Sequence, residues 1–394
     1  MSSQVKTSNK NGGWRYLSLT HGSRKNLERL LTAQTHTCIR KRQLLCYDWI
    51  ERTSRKMTVE ILAILLLSIH LLLVNIASAA PLFCVYLERQ FENRAALHLG
   101  KRLAIASIIT LISGIIVGLL LGFLSWAFSN GQFVNILPRF TWKISWGIAE
   151  IFFSLACMTI YIRMWNRSAT QRKSVFVHRS LAILAATNLL YHFPSLFGAM
   201  TYVARHQERF GDSISTREFR RIAYSNDVLP MTVHFLFASI AVAGIFVMWQ
   251  TIRSAADSSE TSLSERNRIR QGSARIALAA TLFQIVVGTW LLVKTEPLQQ
   301  NRLLGDNLFA TSALGTSVLL TFVLCHFLAA ASFGDDAPEN VRRSAYVIVI
   351  VVILMTAALR QSRSSDLAGV WNHQGAACSI GSFPSEFTIR TTLS

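Results

Sequence analysis

The chain alternates between long apolar blocks and short polar connectors along most of its length. About 20 consecutive apolar residues suffice for a helix to cross a bilayer, and eight blocks reach that length. We expect these spans near 61–86, 103–128, 142–162, 181–203, 229–250, 275–293, 307–332 and 344–360. The longest connectors, 204–228 and 251–274, are polar and too short for a globular domain. The pattern therefore predicts an all-α integral membrane protein, a polytopic bundle of about eight transmembrane helices.

Composition and charge agree with this prediction. Of the 394 residues, 51% are hydrophobic and only 15% are charged, whereas a soluble domain carries about a quarter charged residues. The net charge of +19 falls in the first 56 residues and beside the spans, where Lys and Arg set topology. We therefore expect membrane lipid as a partner and no nucleic acid.

Three segments follow from the pattern. Residues 1–56 form a basic polar arm without the apolar stretch of a signal peptide, residues 57–361 form the transmembrane bundle, and residues 362–394 form a polar tail. We interpret the arm as an over-extended gene start, with Met57 as the true initiator. The alternative is a cytoplasmic arm that touches anionic lipid.

Loop charge predicts the orientation. The loops after spans 1, 3 and 5 hold fourteen Lys and Arg residues, against eight in the loops after spans 2, 4 and 6. The positive-inside rule places the first set in the cytoplasm and the start of span 1 outside. If the arm is translated, its own charge argues for the opposite orientation. We expect the protein in a bacterial inner membrane.

Ionisable side chains inside the spans mark candidate functional positions, because they are costly in lipid. They are His70, Glu150, His192, His234 and His326 in spans 1, 3, 4, 5 and 7. His70 lies roughly 15 Å below the outer end of its span at 1.5 Å per residue. Glu150, His192 and His234 are predicted in the same outer half, whereas His326 is near the inner end of span 7.

The chemistry that fits these positions is b-type haem, which needs one or two axial imidazoles and an apolar cavity. Six scattered cysteines include no CxxC pair, so covalent haem attachment is not indicated. We predict His192 and His234 as axial ligands of the haem iron, with His70 as an additional ligand. Glu150 is the candidate catalytic residue, as a proton-handling group.

Each candidate also has a structural interpretation. Pro194 follows His192 by two residues, so this histidine could cap a carbonyl freed by a proline kink. His234 could instead reach water at the interface. Asn75 and Gln284 are expected to form hydrogen bonds between helices. Small residues at Gly198, Ala199 and Gly244 would let a flat macrocycle approach a helix.

The stretch VHFLFASIAVAGIFVMW, residues 233–249, resembles the fifth helix of cytochrome bd-type quinol oxidase subunit I. That helix carries a haem-ligating histidine followed by a serine, a glycine and an aromatic end, which His234, Ser239, Gly244 and Trp249 match here. The stretch YHFPSLFGAM is similar in style to related bacterial membrane haem-b subunits. The resemblance implies haem binding. His70 departs from the family's first-helix histidine because it lies deep in the span, and no quinol loop is evident. Oxygen reduction is therefore not expected.

Three functions are compatible with these positions. The first is a haem-b-binding electron-transfer subunit of a quinone-linked respiratory complex, an oxidoreductase component with quinone and other respiratory-complex subunits as partners. The second is a proton-coupled transporter of a small solute or ion, in which the buried His and Glu residues form the path. The third is a non-catalytic membrane assembly or scaffold subunit.

Overall fold

The computed structural model describes residues 3–8, 14–19, 21–89, 94–128, 134–165, 172–253, 260–334 and 338–363. Within these ranges, eight helices are long and apolar enough to cross a membrane, which confirms the predicted fold class. Their candidate spans are Met57–Glu88, Ala96–Ala127, Asn135–Met164, Val175–Arg205, Leu229–Arg253, Leu263–Lys294, Leu308–Phe333 and Pro338–Arg363. The protein is thus a multi-pass helical membrane protein.

The α-helices extend beyond the apolar blocks at several ends. They are α1 (His21–Glu88), α2 (Arg94–Phe128), α3 (Thr141–Met164), α4 (Arg172–Arg205), α5 (Thr216–Ala223), α6 (Leu229–Arg253), α7 (Glu260–Lys294), α8 (Pro297–Asn301), α9 (Leu308–Phe333) and α10 (Pro338–Arg363). Short 3₁₀ segments cover Val134–Phe140 and Gln207–Arg209, and a π-helical turn covers Arg302–Asp306. Helix α7 takes up much of the predicted connector 251–274.

The chain divides into two compact units at Glu60 and Ile61. In its described part, the first unit holds strands β1 (Ser3–Ser8) and β2 (Trp14–Leu19) and the beginning of α1. The two strands pair antiparallel, from Ser3 opposite Leu19 to Ser8 opposite Trp14. The predicted segment boundary at residue 57 falls inside α1. The predicted polar tail lies outside the described residues from position 364 onward.

The second unit is a bundle of helices that expose apolar side chains. Helix α6 packs along α7, α9 along α10, and α3 along α4. Its outward-facing residues include Leu119, Phe152, Val286 and Leu319, each about two-thirds exposed. Such a surface is stable only against lipid, because water would not tolerate so much exposed apolar area. The exposed apolar surface of the bundle therefore agrees with the membrane spans assigned from helix length and composition.

Small residues dominate the contacts between helices. Alanines 79, 80, 104, 182, 185 and 243 are fully buried in the core cluster shared by the first six spans. Lipid tails give no hydrophobic drive for helix association, so close approach of backbones supplies the packing energy. Helix α9 ends at Gly334, whose φ of 113° lies in the left-handed region that favours glycine.

Residues 206–228, which we call the cap, fold into a compact element between α4 and α6. The Arg139 guanidinium donates hydrogen bonds of 3.2 Å to the carbonyl oxygens of Gln207 and Phe210. Ile214 and Ile222 of the cap are buried in a small apolar cluster at the ends of α3 and α4. This connector was expected to be merely polar, but its few apolar residues are spaced so that they pack on the bundle.

Candidate functional site

Glu150 and His192 face each other where α3 contacts α4. Nδ1 of His192 lies 3.0 Å from Oε1 of Glu150. Asn188, one turn earlier on α4, donates 2.8 Å hydrogen bonds to the Glu150 carbonyl oxygen and to Ser154 Oγ. The His192 side chain is 47% exposed, so the pair opens onto the side of the bundle rather than into its core.

The environment of His192 is aromatic. The Tyr191 ring stands nearly perpendicular to the His192 ring at 5.0 Å, and the Tyr191 hydroxyl hydrogen-bonds the hydroxyl of Tyr224 in the cap. Helix α4 continues through Pro194 to Arg205. The cap therefore contacts the candidate site through the hydrogen bond between the Tyr224 and Tyr191 hydroxyls.

His70 lies in a groove on α2 formed by Gly114 and Gly118. Its Nδ1 is 2.9 Å from the Gly114 carbonyl oxygen. A Cβ added at Gly118 would come within 2.8 Å of His70 Cε1, so only glycine leaves room for the ring. A carbonyl oxygen can only accept a hydrogen bond, so Nδ1 carries a proton, and in the neutral imidazole Nε2 then keeps its lone pair.

His234 lies between α6 and α7. Its Nε2 is 3.3 Å from the side-chain amide nitrogen of Gln284, and its Cε1 is 3.4 Å from the position that a Cβ on Gly288 would take. Nδ1 of His234 is buried and has no hydrogen-bond partner among the described residues. An unpartnered buried nitrogen is costly, which makes it a candidate contact for a group that binds there.

Asn75 and Ser239 join α1 to α6, as expected of polar residues between helices. The Ser239 hydroxyl donates a 2.8 Å hydrogen bond to Asn75 Oδ1, and both side chains are buried. Ser239 is five residues after His234 on α6. The middle of the bundle thus holds two polar contacts on neighbouring turns of one helix.

The three predicted ligands make their contacts on different helix pairs. His70 contacts α2, His192 contacts α3 and His234 contacts α7. Within the described residues, no hydrogen bond or ring contact joins any two of these histidines. No cluster of three or more His, Cys, Asp or Glu suited to a metal ion occurs there either. His326, the other histidine predicted inside a span, contacts the ring of its chain neighbour Phe327.

The small residues predicted to admit a macrocycle lie close to neighbouring side chains. A Cβ on Gly198 would lie 2.7 Å from Val228 Cγ1, and one on Gly244 would lie 3.0 Å from Ala277 Cβ. Ala199 is fully buried in the cluster under the cap. An open apolar groove of about 440 Å³ lies elsewhere, between Leu303 and Leu319, away from the predicted ligands.

The most buried ionisable cluster was not predicted from the sequence. Glu88 at the end of α1 contacts Nδ1 of His178 near the start of α4, and both side chains are almost fully buried. The Arg179 guanidinium donates a 3.2 Å hydrogen bond from Nε to Glu88 Oε2. Tyr161 of α3 stacks on the His178 ring, with centroids 3.8 Å apart and planes inclined by 13°.

The hydrogen bonds of His178 fix the orientation of its ring. Nε2 lies 2.8 Å from the Tyr161 carbonyl oxygen, which only accepts, so Nε2 must carry a proton. Nδ1 faces the Glu88 carboxylate, and the stacked Tyr161 ring covers one face of the imidazole. Contacts at both ring nitrogens and at one ring face therefore hold the His178 ring in a single orientation.

Two sequence signals could have pointed to this cluster. Glu88 directly ends the first apolar block, and His178 with Arg179 directly precedes the fourth. Antiparallel neighbouring spans bring such ends to one membrane face. Arg179 is one of the fourteen loop charges used for the orientation, and loop charge alone does not reveal its pairing with Glu88.

Comparisons with known proteins identify no family for the chain. No protein-family model matches the chain, and a search of curated proteins found no match.

Proposed function

We propose that the protein is a haem-b-binding electron-transfer subunit that passes electrons between a quinone in the bilayer and a partner protein. The observation that carries the proposal is the hydrogen bond of His70 Nδ1 to the Gly114 carbonyl oxygen. Metal-ligating histidines commonly use one ring nitrogen in this way, which fixes the tautomer and turns the other nitrogen toward the metal.

His192 fits the same requirement. Its Nδ1 faces the Glu150 carboxylate, which favours a proton on Nδ1 and leaves Nε2 as the available donor. His234 differs, because Gln284 occupies its Nε2 side and the buried Nδ1 is the free position. We therefore assign His70 and His192 as the histidines best prepared to hold haem iron, with His234 as a third candidate. When bound, haem would supply reversible one-electron transfer.

Glu150 would orient His192 and handle protons. Its carboxylate is partly exposed at the side of the bundle, where a quinone dissolved in the bilayer can reach it. A group that accepts a proton there would match the proton release that accompanies quinol oxidation. In this role Glu150 holds or moves a proton at Oε1 and does not contact the iron.

The test is a reduced-minus-oxidised spectrum of the purified protein, with pyridine extraction to quantify haem. We expect Soret and alpha bands in the wild type and loss of most bound haem in His70→Ala and in His192→Ala. His98→Ala is the matched control, because His98 is exposed at the start of α2. A purified wild-type protein without haem, expressed in cells that make haem, would reject the proposal.

A second candidate, proton-coupled transport of a small solute or ion, is favoured by the Glu88 and His178 pair. These two ionisable groups are buried and in direct contact, as a proton-transfer pair requires. Proteoliposomes with an internal pH dye distinguish the two functions. A pH-gradient-driven flux that His178→Gln abolishes, in protein free of haem, would support transport over electron transfer.

A further inference from the structure

Helix α5 of the cap separates its arginines from its apolar side chains. Arg217, Arg220 and Arg221 are exposed and have the i, i+3, i+4 spacing that places side chains on one helix face. Ile222 and Ala223, on the opposite face, are buried. The short helix thus presents three guanidinium groups together, away from the bundle.

Nothing in the described part of the chain neutralises this face. None of the three arginines makes a hydrogen bond or an ion pair within the described residues. The Glu218 carboxylate accepts hydrogen bonds from the backbone and the hydroxyl of Ser215, at 2.9 and 2.7 Å. Glu208 lies 3.8 Å from Arg209, outside the helix. The three charges are therefore available to an external anion.

The depth of α5 follows from its contact with α3. The Lys143 ammonium lies 4.8 Å from the centroid of the Phe219 ring in α5. Lys143 directly follows Trp142, which pairs edge-to-face with Trp146 at 5.9 Å, and both indoles are more than half exposed. Exposed tryptophans at span ends lie at the level of lipid headgroups. Helix α5 is therefore held at headgroup level.

We propose that the arginine face of α5 binds the phosphate of an anionic phospholipid. Arginine suits this ligand because its planar guanidinium donates paired hydrogen bonds to phosphate oxygens. Basic residues near an anionic bilayer each contribute about 1 kcal/mol of attraction. The cap also contacts the candidate site through Tyr224 and Tyr191, so the bound lipid would lie beside the lateral entrance to Glu150 and His192.

Position favours lipid over an acidic protein as the occupant. An acidic protein domain would need a surface that projects into water, whereas α5 begins and ends within about ten residues of the spans α4 and α6. Its anchor on Lys143 keeps it beside the aromatic side chains of the interface. The face is thus directed at headgroups.

The experiment uses the full chain in nanodiscs that contain a photoreactive phosphatidylglycerol with its reactive group on the headgroup. The same label on phosphatidylcholine is the comparison. Cross-linked peptides are mapped by mass spectrometry, and labelling of residues 206–228 is quantified. The test variant is R217Q/R220Q/R221Q. The control R163Q/R268Q/R342Q removes three exposed arginines from the opposite end of the bundle.

We expect phosphatidylglycerol to label the cap in preference to phosphatidylcholine. Labelling of the cap in the test variant should be at least about fivefold lower than in the wild type, because loss of one arginine contact worth about 1 kcal/mol already has that effect. The control variant should be labelled as strongly as the wild type. Equal labelling by both lipids, or full labelling of the test variant, would overturn the proposal. Competition by inorganic phosphate at constant ionic strength would also overturn it, because the site would then bind free phosphate. Thermal unfolding checks that both variants remain folded.

Discussion

Glu88 and His178 are 90 residues apart in the chain and meet as a buried pair that joins the end of α1 to the start of α4. Arg179 on α4 and the stacked ring of Tyr161 on α3 complete the contact. Three helices are therefore joined at one membrane face by a buried cluster of ionisable and aromatic side chains. Further along α3 and α4, Glu150 and His192 form a second, more open pair.

Removal of the Glu88 carboxylate should destabilise the bundle strongly. Glu88→Ala removes the carboxylate that contacts His178 and accepts a hydrogen bond from Arg179, and breaking a buried ion pair in this way costs about 3–5 kcal/mol. The measurement is the free energy of unfolding in mixed micelles. Glu339→Ala is the control, because Glu339 pairs with Arg343 on an exposed surface. An exposed pair contributes about 1 kcal/mol or less. Equal stability of the two variants would show that the Glu88 carboxylate does not stabilise the contact between α1 and α4.

The glycine groove around His70 can be tested by two alanine substitutions on α2. Gly118→Ala would place a methyl group 2.8 Å from His70 Cε1, whereas no atom lies within 4 Å of a Cβ at Gly122. We expect Gly118→Ala to destabilise by about 1–3 kcal/mol, the usual range for overpacking. Gly122→Ala should be neutral or slightly stabilising, because alanine favours helix. If both variants behave alike, His70 does not fill the groove.

A double-mutant cycle measures the Asn75 and Ser239 contact. Interhelical hydrogen bonds in membranes average about 0.6 kcal/mol and reach about 1.7 kcal/mol, so we expect a coupling energy in that range between Asn75→Ala and Ser239→Ala. The reference cycle combines Asn75→Ala with Ser145→Ala, because the Ser145 hydroxyl donates its hydrogen bond to the Thr141 carbonyl oxygen of its own helix. Coupling no larger than in the reference cycle would show that the two residues do not interact.

The cap should loosen at acid pH. Hydrogen bonds from the hydroxyl and backbone of Ser215 lower the pKa of Glu218 from its ordinary value of 4.5. A depressed pKa in the folded state means that this contribution is fully present above pH 4.5 and is lost as pH falls through the lower folded value. Hydrogen exchange of α5 amides, corrected for intrinsic rates, should therefore accelerate below that pH.

The matched variants for this measurement lie in the same segment. Glu218→Gln should remove the acid-dependent step, because an amide does not titrate in this range. Glu208→Gln should keep it, since Glu208 is outside the capping box. Loss of a helix cap typically costs about 1 kcal/mol, so Ser215→Ala should raise α5 exchange at all pH values. An unchanged pH profile in Glu218→Gln would exclude Glu218 as the titrating group.

The spans could be predicted because membrane insertion depends on local composition. Each apolar block is long enough to cross the bilayer by itself, and the eight helices confirm that prediction. The positions of His70, Glu150, His192 and His234 within their helices were equally accessible, since rise per residue is fixed. The contacts between these side chains could not be predicted from the sequence, because they depend on which helix faces which neighbour.

The amino-acid sequence by itself determined an all-α membrane bundle and the residues that place polar groups in it. Only the tertiary structure decided that His192 meets Glu150, that His234 meets Gln284, and that residues 206–228 fold over the bundle. Helix faces are nearly uniform in apolarity, so hydrophobic periodicity does not reveal the packed face. Close packing of small residues selects the neighbours, and that selection depends on the whole set of helices.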